Sequence, residues 1–232
     1  MPTREDYVKV FEAERANRYT SVDAFEERAG YAIERGRLED AAFWLACPVK
    51  KNPPNWQHGR VIYAEARRCV ARRSSAYMLD LGTAKGFSAL MMAFALRDSG
   101  NAGCVVSVDV VDPDARVARN SVAELGGLLT VREFLTPWDG IGAELIGLVQ
   151  RGASDPDVGR IDFAMIDGRH AFEAVLEDGS YVASHQRAGD IVFFDDLQID
   201  GVRRAVEQLR EFYEIEVLQA KPERIYGIGV HR

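Results

Sequence analysis

Tyr77-Met-Leu-Asp-Leu-Gly-Thr-Ala-Lys-Gly-Phe-Ser88 is the stretch on which the reading of this chain turns. Met78 to Leu81 form an apolar run interrupted by one carboxylate, Asp80. Gly82, Ala84 and Gly86 then place a small residue at every second position. Phe87, Leu90, Met91 and Phe94 follow at helical spacing. The pattern predicts a buried strand, a tight turn and a helix. Small residues let a backbone come close to a ligand, and a helix N-terminus offers free N–H groups. A cofactor is therefore expected on this turn, with Asp80, Gly82, Thr83, Ala84, Gly86 and Ser88 as its candidate binding residues.

The spacing narrows the choice of cofactor. A dinucleotide fingerprint needs G-x-G-x-x-G, and here the last small residue comes one position too early. A phosphate-binding P-loop needs Gly-Lys-Ser/Thr after four spacer residues, which Lys85 does not satisfy. A carboxylate two residues before the first glycine suits a cationic ligand such as S-adenosylmethionine, which carries an amine and a sulfonium. The stretch resembles motif I of class I S-adenosylmethionine-dependent methyltransferases, most closely in its catechol O-methyltransferase-like form. On this turn alone, an ordinary strand-to-helix connection in any α/β protein remains open.

Composition sets the outer bounds. The chain has 232 residues, 47% hydrophobic and 28% charged, which suits one globular domain with at most a small appendage. A net charge of −7 argues against a nucleic-acid backbone as partner. Cys47, Cys69 and Cys104 are far apart and odd in number, without metal-ligand spacing or a disulfide framework. Reduced thiols and a cytoplasmic location are expected. No run has the length or character of a signal peptide or a membrane span, so no membrane partner is expected.

Residues 1–57 read as a helical, mostly polar segment, expected to act as a lid or cap, with Thr20 or Ser21 capping a second helix. Pro48 and the run 52–55 break the pattern, and Trp56 and His58 after it read as loop anchors. Residues 58–232 read as the cofactor domain. A helix is expected from His58 to about Arg73, with Arg67, Arg68, Arg72 and Arg73 forming a solvated face near its C-terminus. A strand over 104–111 carries Asp109 near its end, and a helix starts at Asp112-Pro113. A strand over 128–134 and a helix opened by Trp138-Asp139 follow. Strands at 161–166 and 190–194 end in Asp167 and in Asp195-Asp196. A helix over 171–184 joins them, another includes Val202 to Phe212, and two runs around Lys221-Pro222-Glu223 read as a hairpin. Alternating strands and helices predict an α/β fold, a mainly parallel sheet with helices on both faces and a C-terminal antiparallel hairpin. This resembles the Rossmann-like seven-stranded methyltransferase sheet from about residue 58 onward.

Asp80, Asp109, Asp167 and Asp195-Asp196 stand at or near the ends of four strands, which a parallel sheet brings to one edge. Gathered carboxylates repel one another and are costly to desolvate unless a cation compensates. Asp109, 29 residues after Asp80, suits the hydroxyls of a ribose, a role that NAD would share. The resemblance makes it the ribose-binding residue of motif II. Three carboxylates at Asp167, Asp195 and Asp196 offer hard oxygen ligands suited to Mg²⁺. The separation of 28 residues between Asp167 and Asp195 matches the metal-binding pattern of catechol O-methyltransferase-like enzymes. Where that family has a catalytic Lys, this chain has His170, as in the bacterial Asp-Gly-x-His branch. The resemblance therefore implies an O-methyltransferase acting on a small hydroxylated molecule (a phenol, sugar or natural product), assisted by a divalent cation, with His170 as general base. Arg169 and Trp138, with Thr136, are expected to border the adenine, and Asp167 the cofactor as well as the metal. A homodimer through the N-terminal helices is also expected. An NAD(P)-dependent oxidoreductase and a non-catalytic binding module of the same fold remain the alternatives.

Overall fold

The computed structural model describes residues 4–46, 56–83, 86–108 and 160–232. Three helices come first: α1 (Arg4–Ala16), α2 (Thr20–Ala29) and α3 (Arg35–Ala46). Then follow α4 (Gln57–Val70), β1 (Tyr77–Leu81), α5 (Phe87–Ser99) and β2 (Cys104–Val108). After residue 159 come β3 (Phe163–Ile166), α6 (Phe172–Ser184), β4 (Ile191–Phe194), α7 (Asp200–Leu209), β5 (Tyr213–Lys221) and β6 (Arg224–His231). The helix expected from Asp112, the strand expected over 128–134 and the helix expected at Trp138-Asp139 lie outside the described residues. The sheet thus shows six strands among the described residues, where seven are expected.

The strand order is β2-β1-β3-β4-β6-β5. The first four are parallel, β6 runs antiparallel to β4, and β5 antiparallel to β6. Alternate residues of each strand enter different cores, as the two-residue period of a pleated strand requires. Met78, Val105, Phe163, Met165, Ile191 and Phe193 join one cluster. Leu79, Val106, Ala164, Ile166, Val192 and Phe194 join the other. The parallel strands are buried on both faces, which explains their unbroken apolar sequence.

On the first face α5 packs on β1 and β2, α4 on β3 and β4, and α2 on β5. Helix α5 is buried continuously from Phe87 to Leu96 because the sheet, α4 and α3 all touch it. Gly59 brings α4 close: a β-carbon there would stand 2.6 Å from the Phe87 ring. Phe11, Val22, Phe25 and Leu38 of the first three helices share this same core. Trp56, 1% exposed, belongs to it too, with its ring centroid 4.7 Å from that of Phe11. The second face is covered by α6 and α7, whose Val182, Val202, Val206 and Leu209 are buried.

Two details depart from the sequence reading. Helix α2 begins at Thr20 with no side-chain cap, and Ser21 Oγ donates instead to the Gln219 carbonyl at 2.8 Å, stitching α2 to β5. Of the four arginines expected on a solvated face, Arg72 is exposed, whereas Arg67, Arg68 and Arg73 are half-buried and engage partners. Arg73 Nε meets Asp162 Oδ1 at 2.8 Å, and its Nη2 meets the fully buried Asp190. Asp162 also accepts the Tyr77 N–H at 2.8 Å, so this network ties β1 to the entries of β3 and β4. Arg67 lies over the Tyr31 ring, 4.9 Å from its centroid. Cys69 and Cys104 are buried and form no disulfide among the described residues, and burial pushes the Cys69 thiol up to about 12. Among the described residues no helix is long and apolar enough to cross a membrane.

Replacing Arg73 by Ala leaves two carboxylates in the interior with Arg160 as their one remaining cation among the described residues, 2.8 Å from Asp162 and 3.0 Å from Asp190. The expected cost is about 3 kcal/mol, since breaking a buried ion pair strands its partner. For a chain of this size that lowers the thermal midpoint by roughly 6–12 °C, measurable by calorimetry. A shift under about 2 °C would show that Arg160 alone neutralises the pair.

Candidate active site

The four parallel strands deliver their C-terminal residues to one edge, and short backbone bonds hold those ends together. Asp167 N–H donates to the Leu81 carbonyl at 2.8 Å, and Asp195 N–H to that of Ile166 at 3.3 Å. Gly82, just past β1, has φ 90°, and a β-carbon on it would stand 2.2 Å from the Asp167 carbonyl oxygen. Both the left-handed backbone and this contact require glycine. Gly86, at φ 85°, precedes α5, and its N–H closes the turn on the Thr83 carbonyl at 2.6 Å.

Asp80 and Ser88, both expected at the cofactor, are placed together. Ser88 Oγ donates to Asp80 Oδ2 at 2.8 Å, and Asp80 is fully buried. This bond joins the end of β1 to the first turn of α5 and braces the turn from below. Thr83 is 2% exposed, and its Oγ1 has no hydrogen-bond partner among the described residues. A buried hydroxyl without a partner is costly, and a polar ligand on the turn would satisfy it. The turn therefore fits a polar cofactor. Arg169 is exposed on the loop after β3. Ala84, Asp109 and Trp138, with Thr136, lie outside the described residues.

Beyond the turn sits an acidic cluster. His170 Nε2 stands 3.1 Å from Asp196 Oδ2 and 3.5 Å from Asp167 Oδ1. One donor atom from each of Asp167, His170 and Asp196 falls within 4.8 Å of the others. Two hard carboxylate oxygens and an imidazole nitrogen suit a divalent cation. This set differs from the expected one, because Asp195 does not join it and His170 does. Asp195 is buried, and one of its oxygens accepts the Asp196 N–H at 2.8 Å. Burial, together with the nearby Asp167 and Asp196, raises its pKa well above the usual carboxylate range. Asp195 thus lies in the interior behind the cluster, where burial and its two charged neighbours disfavour its ionised form.

Asp196 stays charged. It adopts φ 58°, the one left-handed non-glycine backbone among the described residues, a conformation Asp tolerates better than most. Burial works to raise its pKa, but His170, Arg224 and Gln198 prevail and hold it at about 2. Arg224 Nη1 reaches Asp196 Oδ1 at 2.8 Å, and Gln198 Nε2 donates to the same oxygen. Gln198 also accepts the Ile225 N–H at 2.9 Å, locking the loop after β4 to the start of β6. His170, 40% exposed in its side chain, is pushed up to about 10 by Asp167 first and Asp196 second. Without a competing cation it is an imidazolium at neutral pH. The site is then self-neutralised, with His170 and Arg224 answering Asp167 and Asp196.

Arg224 and Gln198 escaped the sequence reading. A signal existed: a strand antiparallel to β4 must start beside the end of β4, so the first residue of the last strand faces Asp195-Asp196.

Comparison with known proteins follows the same lines. Residues 79–197 match the family described as Methyltransferase domain. An O-methyltransferase from Streptomyces achromogenes involved in tomaymycin synthesis, solved with S-adenosylmethionine, is 18% identical. It superposes with a TM-score of 0.56 over 86% of this chain and 91% of its own. A Bacillus cereus O-methyltransferase solved with S-adenosylhomocysteine is 14% identical, with a TM-score of 0.55 over 99% of this chain and 100% of its own. A putative O-methyltransferase from Klebsiella pneumoniae is 15% identical, with a TM-score of 0.52 over 94% of this chain and 92% of its own. These likenesses show a shared fold. No curated protein matches the sequence.

Two outcomes are expected from this geometry. Gly82→Ala should abolish cofactor-site formation, because its β-carbon meets backbone rather than a movable side chain. Strain of this kind costs on the order of 1–3 kcal/mol before the clash is added. A Gly82→Ala chain that keeps wild-type thermal stability and ligand binding would refute the close approach. The second concerns pH. The folded pKa of His170 is above its unfolded value, so its stabilising contribution is full below about pH 6.5 and fades as pH rises toward 10. Asp196 acts in the opposite direction: its contribution is full above about pH 4 and is lost as pH falls toward 2. Denaturant titrations between pH 6 and 10 should show a declining stability in the wild type that flattens in His170→Gln.

Proposed function

Because the chain belongs to the methyltransferase-domain family and is an S-adenosylmethionine-dependent methyltransferase, we propose that it methylates a hydroxyl of a small molecule with the help of a divalent cation. One observation carries this reading: Gly82, on the cofactor turn, packs against the backbone of Asp167, in the acidic cluster. A ligand on the turn and a cation on the cluster are thereby neighbours. When bound, S-adenosylmethionine supplies an activated methyl group, and a divalent cation lowers the pKa of a hydroxyl beside it.

The chain's own residues do the rest. The Gly82–Gly86 turn and the orphaned Thr83 hydroxyl grip the cofactor. Asp167 Oδ1 and Asp196 Oδ2 would hold the cation, Mg²⁺ suiting these hard oxygens, while His170 Nε2 stands beside both as the base. Arg224 and Gln198 occupy Asp196 Oδ1 and so leave Oδ2 as its free ligand atom. His170 Nε2 holds a proton only while both carboxylates are uncompensated. Once they are neutralised, the imidazole returns toward its ordinary range and can carry the acceptor's proton. Holding acceptor and methyl donor side by side supplies alignment, which is most of what an in-line methyl transfer asks of an enzyme. The net charge of −7 supports a small-molecule acceptor over nucleic acid.

Calorimetric titration of S-adenosylhomocysteine, with and without Mg²⁺, tests both parts. Binding is expected in the wild type and is expected to weaken at least about tenfold in Asp80→Asn, where the brace to Ser88 loses its charge. With Mg²⁺, proton release is expected on cation binding near pH 8, read from the buffer dependence of the heat, and should vanish in His170→Gln. Absence of cofactor binding would sink the reading. Binding with no Mg²⁺-linked proton release would remove the cation from it.

A further inference from the structure

A second polar cavity lies outside this site, on the same edge of the sheet. It has a volume of about 170 Å³ and sits among α1, α2, α3 and the start of α4. Its position follows from the topology. Tyr19, on its wall, bonds Glu14, which pairs with Lys221 Nζ at 2.8 Å. Lys221 ends β5, which is antiparallel to β6, itself antiparallel to β4, so it stands at the edge where β4 delivers Asp195. On the other side, His58 follows Gln57 of the cavity wall and packs on Phe87, with ring centroids 5.2 Å apart. Phe87 is the residue that leaves the cofactor turn. The cavity and the turn thus flank one helix N-terminus.

The electrostatics of this cavity favour an anion. Four arginines, 15, 18, 35 and 60, line it against two carboxylates, Asp23 and Glu39. Helix α4 points its positive end here, with no acidic residue in its first turn and no side-chain cap. Arg60 stands in that first turn and is 3% exposed. A buried cation at the positive end of a helix dipole is doubly unfavourable. Glu26 and Asp23 engage its Nη2 and Gln57 its Nη1, but its buried Nε has no hydrogen-bond partner among the described residues. Glu26 and Asp23 are shared with Arg35, so two cations draw on the same two carboxylates. Arg18 makes no ion pair among the described residues, and Arg15 pairs only with the exposed Glu12. A forked array of guanidinium groups at a helix N-terminus matches the oxygens of a carboxylate or phosphate.

We propose that this arginine-lined cavity anchors an anionic group, carboxylate or phosphate, of the methyl acceptor, so that the substrate class is a hydroxylated acid or a phosphorylated alcohol. The inference rests on the methyltransferase reading above. It divides the acceptor into a hydroxyl end over the turn and an anionic end held by the helical layer. Binding energy at the remote end is then spent on aligning the reacting hydroxyl.

The test uses the full chain saturated with S-adenosylhomocysteine, titrated calorimetrically with inorganic phosphate, 4-hydroxybenzoate and the neutral methyl 4-hydroxybenzoate. Saturable binding of at least one anion is expected, at least about tenfold tighter than the neutral ester, equivalent to one charge-assisted contact. Phosphate binding alone would assign a phosphorylated acceptor, and hydroxybenzoate binding alone a carboxylated one. Arg60→Gln risks misfolding, since it strands Glu26. The double variant Arg15→Gln/Arg18→Gln removes two exposed cations and should lose about tenfold in anion affinity while S-adenosylhomocysteine binds as before. Intact cofactor binding with no anion binding, or with equal anion affinity in the double variant, would overturn this inference alone. A wild-type chain that fails to bind S-adenosylhomocysteine would overturn the reading beneath it, whatever the anions do.

Discussion

Carboxylates collected at one sheet edge must each be neutralised, and the upper half of this molecule is organised by how that is done. Asp80 is buried under the turn and accepts a hydrogen bond from the Ser88 hydroxyl. Burial beside two like charges pushes the Asp195 pKa well above the usual carboxylate range. Asp167 and Asp196 share the His170 imidazolium, and Asp196 draws further on Arg224 and Gln198. Four acids in one small space receive three different solutions, because their depth and partners differ.

The same device appears in other parts of the fold with a different purpose. At the opposite edge, Arg73 and Arg160 neutralise Asp162 and Asp190. That cluster is structural: its cations come from the chain and its geometry closes the sheet. The edge with Asp167 and Asp196 is answered by a histidine, whose charge can be given up near physiological pH once its partners are compensated. A permanent guanidinium makes an anchor, and a titratable imidazole leaves a vacancy that a metal cation can take. The cavity beside α4 inverts the sign, with arginines in excess and a helix dipole of the same polarity.

Much of this was legible from residue pattern. The strand–turn–helix at Tyr77–Ser88, the parallel strands ending in Asp167 and Asp195-Asp196, and the terminal hairpin all carry strong local signals. Glycine at Gly82 and the apolar periodicity of α5 belong to short-range physics, where neighbours in sequence are neighbours in space. The roles within the acidic group were less legible. Asp195 and Asp196 are adjacent in sequence, yet a left-handed turn at Asp196 aims one into the interior and the other toward His170. Arg73 read as solvated because its partners, Asp162 and Asp190, are about 90 and 117 residues away.

Sequence alone determined the class of fold, the position of the cofactor turn and the set of acids at the sheet edge, because each depends on periodicity, turn chemistry and strand-end placement. Tertiary structure decided which acid is buried, which oxygen of Asp196 faces His170, and that His170 rather than Asp195 completes the cluster. It also decided that Arg224 stands at the site and that four arginines, three from separate helices and Arg18 from a loop, meet around one cavity. Charge state and ligand geometry are set by burial and by partners distant in the chain. Only the folded arrangement fixes those quantities.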